Sequence, residues 1–339
     1  MNYIITGGTG FIGTHLTNII HEQNPEVKIW NLDIVKPGTP NPVVKDYKPA
    51  VKDGESLHSV FVECDVRNEI GKLPFKPTPD DVIFNFAAVH RTPGHEDREY
   101  FETNIRGAEN VCAFAERCGI KKIVFTSSIA PYGAAEELKE ETTLPTPNTA
   151  YGISKLVAEK IHQAWQAVDR QQRQLIIVRP GVVFGKGENG NFTRLYWGIR
   201  KGRFAYPGRK DTVKACIYVK ELVRFMLYEL EHSRPNQEEL YNCTFEPAYT
   251  IEQIVTTMKK VTGLKRKVML IPSWLLMPSA AVIGALGAPM GICPARVKKL
   301  MISTNISGKR LASSGYQFKW TFEEALDDWY SDNNRQYLQ

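Results

Sequence analysis

The stretch Tyr3-Ile4-Ile5-Thr6-Gly7-Gly8-Thr9-Gly10-Phe11-Ile12-Gly13 opens the chain with a short β-branched run, a glycine-rich turn and the start of an apolar helical pattern that continues to Glu22. In a strand-turn-helix context each glycine has its own use. Gly7 permits the tight turn, Gly10 lets backbone approach a diphosphate, and Gly13 lets helix pack on strand. The diphosphate would lie at the helix N-terminus, where unpaired N–H groups and the helix dipole favour negative charge. A glycine-rich turn alone is weak, and position strengthens it. Asp33 ends the next β-branched run, twenty residues beyond Gly13, where a carboxylate accepts hydrogen bonds from ribose hydroxyls and repels a 2′-phosphate. That favours NAD over NADP, although a turn acid would look the same. Asp65 and Val66, closing the third run, would flank the adenine by the same geometry.

Working outward, strand-like and helix-like segments alternate: Val27 to Leu32; Val60 to Cys64; Val82 to Ala87, then Glu96 to Cys118; Lys122 to Thr126, then Ala150 to Asp169; Leu175 to Val178. Near-continuous apolar strands between helices predict a parallel sheet covered on both faces, a Rossmann-type doubly wound α/β fold. Pro37, Pro40, Pro42 and Pro49 mark an irregular loop. After Gly181 the alternation weakens. Residues 1–180 are therefore expected to form the dinucleotide-binding domain, and 181–339 mostly a smaller C-terminal substrate-binding lobe, with room for elements to return to the first sheet. Periodicity predicts later helices at Ile251 to Thr262, Ser273 to Leu286 and Thr321 to Arg335.

The chain has 339 residues, 42% of them hydrophobic, enough for a substantial core and against disorder. A formal charge of +6 without a run of five like charges does not imply nucleic acid. The cysteines Cys64, Cys112, Cys118, Cys216, Cys243 and Cys293 lack metal-ligand spacing, so reduced thiols and no metal are expected. With no signal-peptide pattern at the N-terminus, cytoplasmic residence is expected.

The sequence Tyr151-Gly152-Ile153-Ser154-Lys155 opens a helix, and its i, i+4 spacing puts phenol and ammonium on one face. A phenol is a poor base at neutral pH, and a nearby cation favours its phenolate. Tyr151 thereby becomes a candidate general base and acid. Upstream, Ile123-Val124-Phe125-Thr126-Ser127-Ser128 runs to the sheet's carboxyl edge, where ligands bind in open α/β folds. Ser128 there either hydrogen-bonds a reacting hydroxyl or ketone or caps a turn.

Taken together, GGTGFIG, Asp33, Asn85-Phe86-Ala87-Ala88-Val89-His90, Asn104, FTSSIAPYG, YGISK and Arg179-Pro180-Gly181-Val182-Val183-Phe184-Gly185 resemble the extended short-chain dehydrogenase/reductase family over nearly the whole chain. Within it the chain is similar to 4-epimerases of sugars carried on a diphosphate. His90-Arg91, RPGVVFG and Ala295-Arg296-Val297-Lys298-Lys299 resemble the bacterial subgroup acting on polyprenyl-diphosphate-linked N-acetylhexosamine. The resemblance implies that Gly7, Gly10, Phe11, Ile12, Gly13, Asp33, Asp65, Val66, Ala87, Ala88, His90, Asn104, Tyr151, Lys155 and Pro180 surround NAD. Ser128, Tyr151 and Lys155 would be catalytic, with Lys155 also holding the nicotinamide ribose; His90 has a plainer alternative as a loop histidine. The implied reaction takes the proton of the sugar 4-hydroxyl, passes through a 4-keto sugar and needs no net redox partner. A homodimer built on the helices from Glu96 and Ala150 is also implied, as is a role in surface polysaccharide (O-antigen) biosynthesis.

Relatives that eliminate water carry two acids directly after the strand-end serine or threonine. Here those positions are Ile129 and Ala130, which move no proton, so dehydration is disfavoured. Gly181 stands where UDP-galactose epimerases usually carry asparagine, and Lys214 where arginine is usual. Arg209, Lys210, Lys214 and Arg296 are candidate diphosphate partners, or a solvated basic face. Ser128 and Tyr151 would meet the sugar.

From Val268 to Ala295 no charge occurs over 28 residues, between Lys265-Arg266-Lys267 and Arg296. Four prolines and three glycines break the run, so it reads as a peripheral lipid-contacting edge on the inner membrane face or as a lobe helix with a loop, not a span. Two other functions compete: a dehydrogenase of hydroxysteroid-like or keto-sugar substrates, betrayed by net NADH formation, and a dinucleotide-sensing protein without chemistry, against which the Tyr151 and Lys155 pair argues.

Overall fold

The computed structural model describes residues 1–39, 58–90, 94–133, 135–272, 274 and 301–339. The first strand and helix are β1 (Asn2–Thr6) and α1 (Phe11–Gln23), followed by β2 (Lys28–Asp33), β3 (Val60–Glu63) and β4 (Val82–Asn85). Next, α2 (Asp97–Tyr100) runs through a π turn, Phe101–Ile105, into α3 (Arg106–Cys118), and β5 (Lys122–Thr126), β6 (Ala135–Lys139), α4 (Ala150–Val168) and β7 (Gln174–Pro180) follow. The chain continues as β8 (Val182–Phe184), α5 (Asn191–Arg200), β9 (Tyr206–Pro207), β10 (Val213–Lys214), β11 (Cys216–Tyr218), α6 (Val219–His232) and β12 (Glu239–Cys243). It closes with β13 (Tyr249–Thr250), α7 (Ile251–Thr262), β14 (Leu270–Ile271), β15 (Thr304–Ile306), α8 (Lys309–Ala312) and α9 (Phe322–Asp332).

Seven parallel strands form one sheet in the order β12-β7-β5-β4-β1-β2-β3. The order reverses between β1 and β4, and the crevice at such a switch point is where open α/β sheets bind ligands. Register makes that crevice level: Thr6 pairs with Leu32 on one side and Asn85 on the other. Gly7, Asp33 and Phe86 therefore leave the sheet at one edge.

Successive strand residues feed opposite cores. Ile5 packs with Leu16 and Ile20 of α1 and with Leu222, Phe225 and Met226 of α6. Ile4 packs on the other face with Val111 and Phe114 of α3 and with Ala158 and Trp165 of α4. All seven residues of β7 are buried, as a strand covered on both faces requires.

The strands and helices expected before residue 180 occur within a residue or two of their predicted ends. Beyond that point α7 and the helix predicted at Thr321 appear, and Ser273 to Leu286 lies outside the described residues apart from Trp274. Periodicity did not reveal α5, α6 or β12. The strand β12 returns to the main sheet beside β7, and α6 lies over α1 and the sheet. Beyond these, the chain forms the four-stranded sheet β13-β10-β15-β6 and an aromatic core of Phe184, Phe192, Tyr218, Phe245, Phe322 and Trp329, contributed by β8, α5, β11, the residues after β12, and α9.

Candidate active site

Gly7 adopts φ +71°, and a Cβ there would stand 2.7 Å from the Ala87 nitrogen. A side chain at Gly13 would meet Gly8 Cα at 2.5 Å, so the glycine requirement comes from turn geometry and from close packing of α1 on the loop. Gly10 caps α1 with extended backbone, no side chain bonds the helix's first amides, and no acid occupies the first turn. Phe11, Ile12 and Gly13 thus begin a helix whose N-terminus is arranged to receive an anion.

At the end of β2, Asp33 Oδ2 accepts from the Thr9 backbone N–H (3.1 Å) and hydroxyl (2.6 Å), and Oδ1 from Val35 N–H (3.0 Å). Burial raises its pKa, with the Thr9 bonds opposing. The acid expected to repel a 2′-phosphate therefore also braces the glycine turn. Asp65 forms a forked pair with Arg67, whose closest contact is 2.6 Å, and that guanidinium holds its pKa low. Val66 is buried and its carbonyl accepts from the Asn110 amide at 2.8 Å.

Beyond β4, Ala87 and Ala88 are half-buried and His90 is exposed. Asn104 sits in the π turn, an irregularity frequent at functional sites. Its amide oxygen accepts from Val89 N–H at 2.9 Å, and its amide nitrogen donates to Val89 O (3.0 Å) and Ser154 Oγ (2.9 Å). Asn104 holds the loop after β4 against α4. Pro180 ends β7, and its carbonyl accepts from Ile129 N–H at 3.2 Å.

The expected reactive residues come together. Thr149 caps α4, its side chain accepting from Gly152 N–H, so Tyr151 and Lys155 lie in the first turns. Ser128 acts on the Tyr151 phenol to lower its pKa, but burial dominates and pushes it up to about 12. The cation effect expected of Lys155 is not what acts on the phenol: the Lys155 ammonium donates to Thr126 O at 2.8 Å. Lys155 is 3% exposed, and burial lowers its pKa to about 7, with Glu159 acting upward.

Beneath these groups lies a polar layer that sequence reasoning missed. Glu159 and Arg179 form a buried pair with bonds of 2.8 and 2.6 Å, and the Ser127 hydroxyl donates to the same carboxylate at 2.5 Å. The Thr6 hydroxyl donates to Asn85 Oδ1 (2.8 Å), the Asn85 amide to His162 Nε2 (3.1 Å), and His162 Nδ1 to Ala158 O (2.7 Å), a tautomer assigned from its partners. Burial lowers the His162 pKa to about 4. Two signals existed: Glu159 stands four residues after Lys155, and Arg179 is a charge inside an apolar strand.

The candidate diphosphate residues are engaged within the protein. Arg209 donates to Glu136 (2.5 Å) and Ser303 (2.7 Å), Lys210 to Glu252 (3.0 Å), and Lys214 to Ile302 O (2.7 Å). Arg296 lies outside the described residues. At Gly181 a Cβ would stand 2.6 Å from Ala215 O, so a side chain such as asparagine would collide with the strand beside it.

A doubly wound parallel sheet, a glycine cradle at a bare helix N-terminus, an acid after β2 and a serine-tyrosine-lysine set at the same edge define an enzyme of the short-chain dehydrogenase/reductase type. The sequence matches the NAD dependent epimerase/dehydratase family over residues 3–244, and the chain belongs to that family. It is similar to the N-acetyl-alpha-D-glucosaminyl-diphospho-ditrans,octacis-undecaprenol 4-epimerase of Escherichia coli O157:H7, 31% identical over 331 residues that cover 96% of this chain and 93% of that protein. Among solved structures, the UDP-glucose 4-epimerase of Thermus thermophilus in complex with NAD matches with a TM-score of 0.72 at 20% identity over 99% of each chain. The UDP-N-acetylglucosamine 4-epimerase of Methanobrevibacter ruminantium matches with a TM-score of 0.72 at 19% identity over 98% of each.

Proposed function

We propose that this enzyme is an NAD-dependent 4-epimerase of N-acetylglucosamine carried on a polyprenyl diphosphate, acting through a transient 4-keto sugar in surface polysaccharide biosynthesis. The observation that carries the reading is that Ser128 acts on the Tyr151 phenol at the edge where the glycine turn and Asp33 also emerge. NAD fits this chain: the turn admits no Cβ at Gly7, α1 starts without an acid, and the Asp33 carboxylate would face the adenosine ribose. Bound NAD supplies a hydride acceptor and donor.

The protein's own groups do the rest. Tyr151 Oη takes the proton of the sugar 4-hydroxyl and returns it, as general base and then general acid. Ser128 Oγ bonds the same oxygen, and Lys155 holds the nicotinamide ribose. A phenol whose pKa is raised to about 12 by burial keeps its proton at neutral pH, so positive charge brought by the bound cofactor is needed to make it a base. Ile129 and Ala130 offer no acid for dehydration, which supports epimerisation. His90, Asn104 and Pro180 would wall the nicotinamide side, Asp65 and Val66 the adenine side.

The lipid carrier is supported by the relative from Escherichia coli and by surface chemistry. Met269, Leu270 and Trp274 are 71%, 45% and 75% exposed beside Lys265-Arg266-Lys267, a pairing of apolar and basic groups suited to an anionic lipid surface. No helix among the described residues is long and apolar enough to cross a membrane. Contact would be peripheral, on the cytoplasmic face. A homodimer through the exposed sides of α3 and α4 completes the proposal. Incubation separately with UDP-N-acetylglucosamine and with its polyprenyl-diphosphate counterpart, followed by resolution of the epimers, tests it. The galacto epimer is expected from the lipid-linked sugar; conversion of the nucleotide alone would refute the carrier, and conversion of neither the sugar.

A further inference from the structure

We propose that Glu159, gripped by Arg179, is a positioning residue for this reaction: it ties the strand end carrying Ser128 to the helix face carrying Tyr151 and Lys155, and its carboxylate is a negative charge one helical turn from Lys155. The proposal rests on the roles given above to those three residues.

Glu159 follows Lys155 by one helical turn on α4, so both side chains rise from one face. Its carboxylate is fully used. One oxygen accepts from Ser127 Oγ and from Arg179 Nε (2.8 Å), and the other from the second guanidinium nitrogen (2.6 Å). Arg179 in turn lies 4.7 Å from the Tyr132 ring centre, and the Tyr132 hydroxyl donates to Asn242 Oδ1 at 3.0 Å. The ends of β5, β7 and β12 are thereby joined to α4. Lys155 completes the joint from the other side, donating to Thr126 O, the carbonyl next to Ser127.

A buried ion pair seldom repays its desolvation in stability alone, so its placement calls for a reason. The groups around Lys155 supply one. His162 and Tyr151 share α4 with it, the ring neutral because burial lowers its pKa to about 4 and the phenol neutral because burial raises its own. Arg179 comes from β7 and Tyr132 from the turn after β5, with Tyr100 of α2 beyond the Tyr151 ring at 6.0 Å. Arg179 has its charge answered by Glu159. Burial drives Lys155 toward the neutral amine, and Glu159 opposes it.

The test titrates the Lys155 ammonium directly by NMR of the full chain carrying nitrogen-labelled lysine, with Lys155→Met for assignment. Glu159→Gln removes the charge and keeps the shape; Glu159→Asp keeps the charge and disturbs the packing. In Glu159→Gln the Lys155 midpoint is expected to fall by about one pH unit or more, and the alkaline limb of kcat to move the same way with KM little changed. In Glu159→Asp the midpoint stays near its original value. Should Glu159→Gln not fold, the double variant Glu159→Leu with Arg179→Met removes the tie between the end of β5 and α4, and kcat is expected to fall with KM little changed. A midpoint unmoved in a folded Glu159→Gln, or an unchanged kcat in the double variant, overturns the proposal. The titration is read without substrate, so failure of the epimerase assignment would leave this result standing.

Discussion

Gly7 shows how one residue joins fold to function. Its backbone is left-handed, which costs an L side chain about 1–2 kcal/mol, and the space a Cβ would take is filled by the Ala87 backbone. Gly7→Ala is therefore expected to lower stability by more than about 1 kcal/mol and to weaken NADH binding by about tenfold or more, read as a drop in Tm and a rise in Kd by fluorescence titration. Unchanged binding in the folded variant would mean that the turn does not cradle the diphosphate. The glycines, Asp33 and the Tyr151 to Lys155 spacing were legible because each follows from a local pattern. The environments of those groups were not. Burial places the Lys155 pKa near neutrality and Tyr151 at about 12, and burial depends on strands far apart in sequence.

At the scale of elements, α4 carries more than the two reactive side chains. Its inner face also presents His162, fully buried between the Asn85 amide and the Ala158 carbonyl. Burial lowers the His162 pKa from 6.5 to about 4. Above pH 6.5 the ring is neutral in both folded and unfolded chains and costs nothing. As pH falls from 6.5 toward 4 the unfolded chain takes up the proton first, so stability is lost in that window, by up to about 3 kcal/mol. Replacing His162 with Gln should flatten that loss, checked by urea denaturation of both proteins at about pH 7 and about pH 4.5. An equal acid loss in the variant would show that the histidine is not held neutral.

Elements also show where sequence reading stops. The strands up to residue 180 were legible because each is a short run rich in β-branched and apolar residues, and β1 and β4 lead on to helices. The helix α6 was missed because Glu221 and Glu229 are buried together with Val219, Leu222, Val223, Phe225, Met226 and Leu227, so its polar and apolar residues do not sort onto two faces. The strand β12 was missed because its partner β7 lies some sixty residues upstream, and nothing local marks the pairing. The Glu159 and Arg179 pair was hidden likewise, two charges twenty residues apart that only the fold brings together.

For the whole molecule, one sheet edge gathers the glycine turn of β1, the acid of β2, the loop of β4, the serines of β5 and the proline of β7, with α4 laid across them. The chain beyond β7 closes an aromatic cluster around Phe184 and Trp329, and just past the end of β7 Gly181 is pressed against Ala215. Such an arrangement supports proton transfer at one carbinol without a second acid. The central claim, epimerisation at C4 with Tyr151 as the proton carrier, is tested most directly by comparing the original enzyme with Tyr151→Phe on the lipid-linked sugar, NADH binding being measured in parallel. The account predicts that the variant binds NADH nearly as well and loses turnover by about a hundredfold or more. Undiminished turnover in the phenylalanine variant would contradict it.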